Sequence, residues 1–224
     1  MQGDYDISAE VIVLGQASVG KSNLITRYVR QEFSESVNPT IGNDYFKNLQ
    51  RVGDLNVLVK FWDTAGQERF ASLSAMILKN INAAIFVYDI TKRDSFAKIP
   101  MWLDFVKESN SHRLKFMLMG NKMDLEVARE VSREEAHAFA AAHDMLFFET
   151  SAKTNQDNCV PTAFLALVEE TVREMSKHEK ERTSMVNGEL VKTFRKIQLD
   201  QGRKLQEGSF GKEGQVETGK SGCC

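Results

Sequence analysis

The stretch GQASVGKS has residues suited to holding phosphate groups, and it lies between the apolar run VIVLG and a segment with helical spacing. Gly15, Gly20, Lys21 and Ser22 fit the pattern G-x-x-x-x-G-K-[ST]. The glycines let backbone N–H groups converge on phosphate oxygens, and the start of a helix adds partial positive charge. Lys21 is predicted to contact the β- and γ-phosphates, and the Ser22 hydroxyl to ligate Mg²⁺. The spacing predicts a nucleotide site without naming the base.

Two later stretches, NKMD and ETSAK, predict which base is bound. The Asp124 carboxylate can accept hydrogen bonds from guanine N1–H and the 2-amino group together, whereas adenine has no such donor pair. A buried carboxylate left unpaired is costly, so Asp124 favours guanine. Asn121 and Lys122 are predicted to brace this loop, and Ala152 to present its N–H to guanine O6. Both stretches follow predicted strands, at the edge where open α/β sheets bind ligands.

The stretch WDTAGQERF carries residues suited to hydrolysis of a phosphate ester. Asp63 is predicted to hold the Mg²⁺ shell, the Gly66 N–H to bond the γ-phosphate, and Gln67 to orient the attacking water. Thr40, in a polar loop between Ser22 and Asp63, can give its hydroxyl to Mg²⁺ and its N–H to the γ-phosphate. A loop held only by the γ-phosphate is released on hydrolysis, which predicts a switch.

Short apolar runs alternate with helical spacing, which predicts an α/β fold with a mostly parallel sheet. The runs are VIVLG, VLVKFWD, AAIFVYD, KFMLMGN and MLFFE. Helices are predicted over 21–30, from near Ser95, and over 132–143, where SREE is a capping-box pattern. Residues 1–9 are predicted to be a flexible N-terminus, 10–176 one domain, and 177–224 a flexible tail.

Composition narrows the class of protein. The formal net charge is −2, which does not favour nucleic-acid binding, and no apolar run approaches the roughly 20 residues of a membrane helix. We therefore expect a cytosolic protein with reduced thiols. Two of its three cysteines are the adjacent pair Cys223 and Cys224. Neighbouring cysteines at a mobile end close no useful loop, so a disulfide framework is disfavoured.

In order and spacing, GxxxxGKS, the TIG loop, WDTAGQERF, NKMD and ETSAK resemble the Ras superfamily of small GTPases, and within it the Rab family. The resemblance covers residues 10 to about 175. It implies a P-loop NTPase small G-domain, with a six-stranded, mostly parallel sheet and five helices. It also implies slow GTP hydrolysis accelerated by an activating protein, and packing of Phe33 against the guanine ring. A few stretches, such as FMLMGNK, lean toward the recycling-endosome branch.

The predicted functional residues fall into five groups. The GTP-binding set is Gly15, Ser18, Val19, Gly20, Lys21, Ser22, Asn23, Phe33, Thr40, Gly66, Asn121, Lys122, Asp124, Ser151, Ala152 and Lys153. The metal ligands are Ser22, Thr40 and Asp63, and the catalytic residue is Gln67. The effector surface is Ile41, Tyr45, Trp62 and Ile77, and the lipidation sites are Cys223 and Cys224.

The resemblance also implies the cofactor, partners and location. The cofactor is Mg²⁺, with GTP and GDP as ligands. Two geranylgeranyl groups on the cysteine pair would give a stable anchor where one chain gives a marginal one. The implied partners are an activating protein, an exchange factor, effectors, a prenylation escort and a GDP-dissociation inhibitor, with no nucleic acid. The expected location is the cytoplasmic face of an intracellular membrane, with a soluble cytosolic pool.

The chain departs from the Rab pattern in the phosphate loop and on the effector surface. Ala17 and Ser18 stand where Rabs often have Ser and Gly. The run IGNDY replaces the usual IGVDF, and ILKN replaces a YYRG-like run. These departures predict altered effector choice. Two alternatives to a membrane-anchored switch stay open: a nucleotide-bound interaction scaffold with little or no GTPase cycle, and an ATP-using phosphotransferase, which Asp124 disfavours.

Overall fold

The computed structural model describes residues 5–35, 43–64, 75–110 and 114–177. The strands are β1 (Ile7–Leu14), β2 (Asn43–Val52), β3 (Leu55–Thr64), β4 (Ala83–Asp89), β5 (Lys115–Asn121) and β6 (Met145–Glu149). They form a six-stranded sheet in the order β2-β3-β1-β4-β5-β6. Only the β2–β3 pair in this described sheet is antiparallel. The predicted six-stranded, mostly parallel sheet is confirmed.

Helices connect the strands, except for β2 and β3, and one helix follows β6; their side chains pack against the sheet. They are α1 (Lys21–Arg30), α2 (Ala75–Asn80), α3 (Arg93–Ala97), α4 (Ile99–Ser109), α5 (Arg133–Ala142) and α6 (159–177). At the start of α5 the Ser132 Oγ accepts a hydrogen bond from the Glu135 N–H at 3.2 Å, as the capping pattern predicts. The Glu135 side chain pairs with Arg93 instead of returning to the cap. None of the described helices is long and apolar enough to cross a membrane.

The helix predicted to begin near Ser95 is divided into α3 and α4 at Lys98. Pro100 lies in the first turn of α4. Proline has no N–H, and its ring collides with the carbonyl four residues earlier, here that of Phe96, so a continuous helix is disfavoured. The same residue suits the first turn of a new helix. Counted as one unit, α3 and α4 bring the described α-helices to the expected five; two short 3₁₀ helices cover Met123–Ala128 and Gln156–Asn158.

The sheet has a hydrophobic core on each face, because successive strand residues point to opposite sides. Val11 and Val13 of β1 pack in the core that includes side chains of α1 and α6. Ile12 and Leu14 pack in the other core, with side chains of α4 and α5. All seven residues of β4 are buried. The runs in β1, β4 and most of β5 are therefore covered on both faces, as predicted. In contrast, the run in β3 alternates between buried and half-buried residues, and the middle of β6 is half-buried.

Strand β2 has no apolar run in the sequence to mark it. It is an edge strand, and its described side chains alternate between exposed and half-buried from Tyr45 to Val52. Residues 53 and 54 turn the chain into β3, with Gly53 at φ 58°. An antiparallel edge strand can leave one face uncovered, so its sequence need not be continuously hydrophobic.

Candidate nucleotide-binding site

The predicted chemical groups converge at the carboxyl edge of the sheet. Gly15 follows β1, Asp63 lies near the end of β3, and Asp89 ends β4. Asn121 ends β5, and Ser151 comes two residues after β6. Because β1, β3, β4, β5 and β6 are parallel, these positions share one edge, as expected for a ligand site of an open α/β sheet.

Two glycines of the phosphate loop are required by close contacts. Gly15 has φ 148°, and a Cβ there would lie 2.2 Å from the Val87 carbonyl oxygen. Gly20 has φ 99°, and its Cβ would lie 2.3 Å from Asn121 Nδ2. Any larger residue would push the loop away from β4 or from Asn121. The glycines therefore let the loop lie directly against two neighbouring strands.

Ser18 occupies a backbone conformation that favours glycine. Its φ is 63°, in the left-handed region. A residue with a Cβ pays roughly 1–2 kcal/mol in that region. Ser18 thus adopts the conformation that glycine would favour here, at a cost in conformational energy.

Lys21 lies under the phosphate loop rather than in solvent. It is 6% exposed, and its Nζ donates to the carbonyl oxygens of Gly15 at 2.9 Å and Gln16 at 3.0 Å. Burial lowers the pKa of Lys21 to about 8, and the charge of Asp63 partly opposes that shift. An anionic ligand at this position would therefore favour the protonated form of Lys21 and raise its pKa.

Two of the predicted Mg²⁺ ligands are in the described part of the chain. Ser22 is in the first turn of α1, and Asp63 is 1% exposed. Hydroxyl and carboxylate oxygens suit Mg²⁺, which usually keeps several waters and phosphate oxygens besides one or two protein ligands. No group of three His, Cys, Asp or Glu in the described ranges could hold a metal alone. The residues present fit a cation shared with phosphate.

The side chain of Asn121 joins two loops. Its Nδ2 donates to the Val19 carbonyl at 2.8 Å, and its Oδ1 accepts from the Ala152 N–H at 3.1 Å. Asn121 is 2% exposed. The structure thus shows how Asn121 can brace the loops: its buried amide hydrogen-bonds both to the phosphate loop and to the loop over residues 151–153. The Ala152 N–H, predicted to contact guanine O6, also serves Asn121.

Lys122 is held by a carboxylate that the sequence analysis did not single out. Its Nζ lies 2.6 Å from Oδ2 of the buried Asp89, and its φ is 70°. Burial raises the pKa of Asp89, but hydrogen bonds from Lys122 and Thr91 outweigh that effect and leave the pKa lowered. The sequence does contain a signal for Asp89: it is the one charged residue of the run AAIFVYD, and it lies at the end of the predicted strand, where ligand-site residues are expected.

Asp124 and Ser151 are in direct contact. The Ser151 Oγ donates to Asp124 Oδ1 at 2.6 Å and accepts from the Thr154 N–H at 3.1 Å. The Met123 N–H donates to the Thr150 carbonyl at 3.0 Å. The NKMD and ETSAK loops are therefore joined side by side, as two walls of one pocket require.

A buried ion pair supports the second of these loops from behind. Arg129 donates to both carboxylate oxygens of Glu149, at 2.7 and 3.1 Å, and the Glu149 side chain is 2% exposed. Arg129 also pairs with Glu126. Removing one partner of a buried pair costs about 3–5 kcal/mol, because the other charge is left buried. Sequence reasoning missed this pair, since the two residues are 20 positions apart.

Some of the remaining predicted residues lie in the ranges that the structure describes, and others lie outside them. Phe33 is half-buried, and the Asn23 Nδ2 donates to the Ser34 carbonyl at 2.9 Å. Tyr45 and Trp62 are cross-strand neighbours with ring centroids 5.0 Å apart, and Ile77 is half-buried in α2. The predicted residues that lie outside the described ranges are Thr40, Ile41, Gly66, Gln67, Cys223 and Cys224.

The sequence is similar to known proteins over the region that contains this site. It matches the model of the Ras family over residues 10–173. Ras-related protein Rab-17 of Mus musculus is 43% identical over 148 residues, 66% of this chain and 69% of that protein. Ras-related protein RABA6b of Arabidopsis thaliana is 39% identical over 165 residues, 74% and 71% of the two chains. Ras-related protein Rab-30 of Homo sapiens is 39% identical over 154 residues, 69% and 76%.

The lowered pKa of Lys21 predicts that the Lys21 amine takes up a proton when a nucleoside diphosphate binds at alkaline pH. Above about pH 8 the buried amine loses its proton, and a phosphate contact raises the pKa again. Affinity should therefore fall as pH rises above 8, by up to about tenfold per pH unit. Calorimetric titration in buffers of different ionisation heat should show more proton uptake at pH 8.5 than at pH 7.5, a range that avoids the ionisations of the terminal phosphate and of guanine N1–H. Equal uptake at the two pH values would contradict the assigned contact.

Proposed function

The chain belongs to the Rab family of Ras-superfamily small GTPases, proteins of membrane trafficking, and on this basis we propose that its site binds GTP and GDP through the residues predicted from the sequence. Ras-family GTPases in general use GTP, GDP and Mg²⁺. The observation that carries the proposal is the Asn121 amide, which joins the loop with phosphate-binding spacing to the loop with base-binding residues.

Guanine selectivity is assigned to Asp124. Its carboxylate would accept hydrogen bonds from N1–H and the 2-amino group, while Ser151 Oγ fixes one of its oxygens at 2.6 Å. Phe33 and Lys122 would flank the ring, and the Ala152 N–H would be shared between Asn121 and guanine O6. A site built to pair with a donor rejects an analogue that lacks it, because its own buried acceptor then stays unpaired.

Asp124→Asn should change the preferred base from guanine to xanthine. With the new Oδ1 accepting from N1–H, the new Nδ2 can donate to the 2-carbonyl of xanthine but cannot accept from the 2-amino group of guanine. Displacement of a fluorescent nucleotide should show GDP affinity falling on the order of 100-fold or more, with XDP binding better than GDP. Asp104→Asn, an exposed change in α4, is the control and should keep GDP preference. If ATP displaced bound GDP from the unchanged protein as well as GTP does, the guanine assignment would be wrong.

Phosphate binding and hydrolysis are assigned to Lys21, Ser22 and Asp63 together with Thr40, Gly66 and Gln67. Lys21 and the loop N–H groups would bind phosphate oxygens. Ser22, Thr40 and Asp63 would hold Mg²⁺, which would neutralise phosphate charge. Gln67 would orient the attacking water. Intrinsic hydrolysis would be slow and accelerated by an activating protein. The alternative of an interaction scaffold without a cycle is not favoured by the family similarity.

Gln67→Leu should strongly slow hydrolysis, because leucine cannot orient water. Single-turnover assays with GTP-loaded protein should show at least a tenfold loss in rate, without and with an activating protein. Gln156→Leu, an exposed change before α6, is the matched control and should leave the rate as it is. Equal rates in Gln67→Leu and the unchanged protein would remove the assigned role, and no turnover in the unchanged protein would favour the scaffold.

The effector surface is proposed to include Tyr45, Trp62 and Ile77, with Ile41. Tyr45 is 39% exposed, and its ring lies against Trp62. The Trp62 Nε1 donates to Glu10 Oε2 at 3.2 Å, which fixes the indole orientation. Partners of the kinds typical of Rabs are activating proteins, exchange factors, effectors, prenylation escorts and GDP-dissociation inhibitors. The changed residues on this surface are proposed to alter the choice of effector.

Membrane attachment is assigned to Cys223 and Cys224. Rabs are typically found on intracellular membranes, and we propose the cytoplasmic face of such a membrane, together with a soluble cytosolic pool. Two prenyl chains on adjacent residues bury enough CH₂ groups, at about 0.8 kcal/mol each, to give a stable anchor.

Intact mass measurement of the protein from its own cells should show two isoprenoid increments on the C-terminal peptide. Cys223→Ser with Cys224→Ser should remove both increments and move the protein out of the membrane fraction, since no other lipid group is assigned. Cys159→Ser, which changes the third cysteine, should leave the anchor unaffected. Unmodified Cys223 and Cys224 in both the membrane and the soluble fractions would overturn the anchor and the trafficking assignment that depends on it.

A further inference from the structure

We propose that Arg27 is a positioning residue that holds together the two segments flanking the guanine base, and thereby slows release of bound nucleotide. These segments are the base loop (residues 151–153) and the entry segment (residues 33–35). The proposal rests on the proposed function, because it takes GDP as the ligand. Arg27 was not among the residues predicted from the sequence.

Arg27 projects from α1 to the backbone of the base loop. Its Nε donates to the Ala152 carbonyl at 2.8 Å, and its Nη2 donates to the Lys153 carbonyl at 3.1 Å. Hydrogen bonds from a charged donor are stronger than neutral ones, and the planar fork of arginine can serve adjacent acceptors at once. Two successive carbonyls of the base loop are therefore fixed by one side chain.

The same guanidinium also contacts the end of α1 and the entry segment. Its Nη1 donates to the Gln31 carbonyl at 2.8 Å, and its Cζ lies 5.9 Å from the centroid of the Phe33 ring. Gln31 has φ 59°, so the chain leaves α1 through a left-handed residue whose carbonyl Arg27 holds. A cation near an aromatic face is attracted to it. Arg27 thus joins the base loop to the ring that is proposed to pack against guanine.

Another described tie between the two segments is weaker. Lys153 Nζ lies 2.7 Å from Glu35 Oε1, but both side chains are exposed. Exposed ion pairs contribute between about 0 and 1 kcal/mol and are screened by salt. The Asn23 contact with Ser34 joins the entry segment to α1 only. Arg27 is half-buried, donates two hydrogen bonds to the base loop and one to the Gln31 carbonyl, two residues before the entry segment, and reaches the entry segment itself through the Phe33 ring. Because it is less exposed than the Lys153–Glu35 pair and has more contacts, it is the stronger connection.

This connection bears on how the base leaves the site. A base held between Phe33 and the base loop can leave only when the two segments separate or shift. Arg27 opposes that separation through its contacts with the Ala152 and Lys153 carbonyls and with the Phe33 ring. Loss of its three hydrogen bonds and the ring contact should speed nucleotide release about tenfold.

The test is the dissociation rate of a fluorescent GDP from the full chain carrying Arg27→Met. Methionine keeps an unbranched apolar side chain and removes every donor. Arg30→Met, on the same helix, is the matched control, because Arg30 is exposed and contacts Phe46 rather than the base loop. We expect about tenfold faster release from Arg27→Met and a change of less than about twofold from Arg30→Met. The same factor should appear with Mg²⁺ and after chelation, since the contacts lie on the base side.

Arg27→Lys separates geometry from charge. Lysine keeps the charge, but its single ammonium cannot reproduce the fork, so release should still be at least about threefold faster than in the unchanged protein. Unchanged release in Arg27→Met, an acceleration that disappears after chelation, or full recovery in Arg27→Lys would each overturn the proposal. If Arg27→Met does not fold, Arg27→Lys decides alone. Failure of the unchanged protein to retain GDP would instead overturn the proposed function.

Discussion

The buried amide of Asn121 is the interaction on which the geometry of the site depends. It satisfies a carbonyl of the phosphate loop and an N–H of the base loop with one side chain. Both partners are buried, so losing the amide would leave two backbone groups without partners, each at about 1–3 kcal/mol. The position of Asn121 also explains why residue 20 is glycine, because a Cβ there would collide with Asn121 Nδ2. A residue on β5 therefore determines which residue the loop after β1 can contain.

Two residues with strained backbone conformations lie in the loops around this amide. Ser18 and Lys122 both have left-handed φ values, of 63° and 70°. Such residues persist only where the surroundings over-determine them. For Lys122 the surroundings include the 2.6 Å ion pair with Asp89, itself held by two hydrogen bonds from Thr91. The rigid strand ends thus hold loop conformations that a free peptide would rarely adopt.

Two arginines stabilise the base loop and the residues before it. Arg129 neutralises the buried Glu149 at the end of β6, immediately before residues 150–153. Arg27 holds the following carbonyls from the side of α1. Between them the loop has charge-assisted contacts at both ends, while Asn121 holds its middle. Arg129, Glu149 and Arg27 are thus assigned a structural role, which is to hold the backbone of residues 150–153 in place.

The sequence alone determined the features that depend on local spacing: the phosphate loop, the buried strands, the cap at Ser132 and the α/β class. These follow from periodicity and from neighbouring residues, which the chain displays directly. Only the tertiary structure decided that β2 is an exposed edge strand, that Asp89 holds Lys122, and that Arg27 reaches Ala152 across 125 positions. Contacts between residues far apart in sequence depend on which strands are neighbours in the sheet and on how their carboxyl ends align. A local sequence pattern does not contain that information.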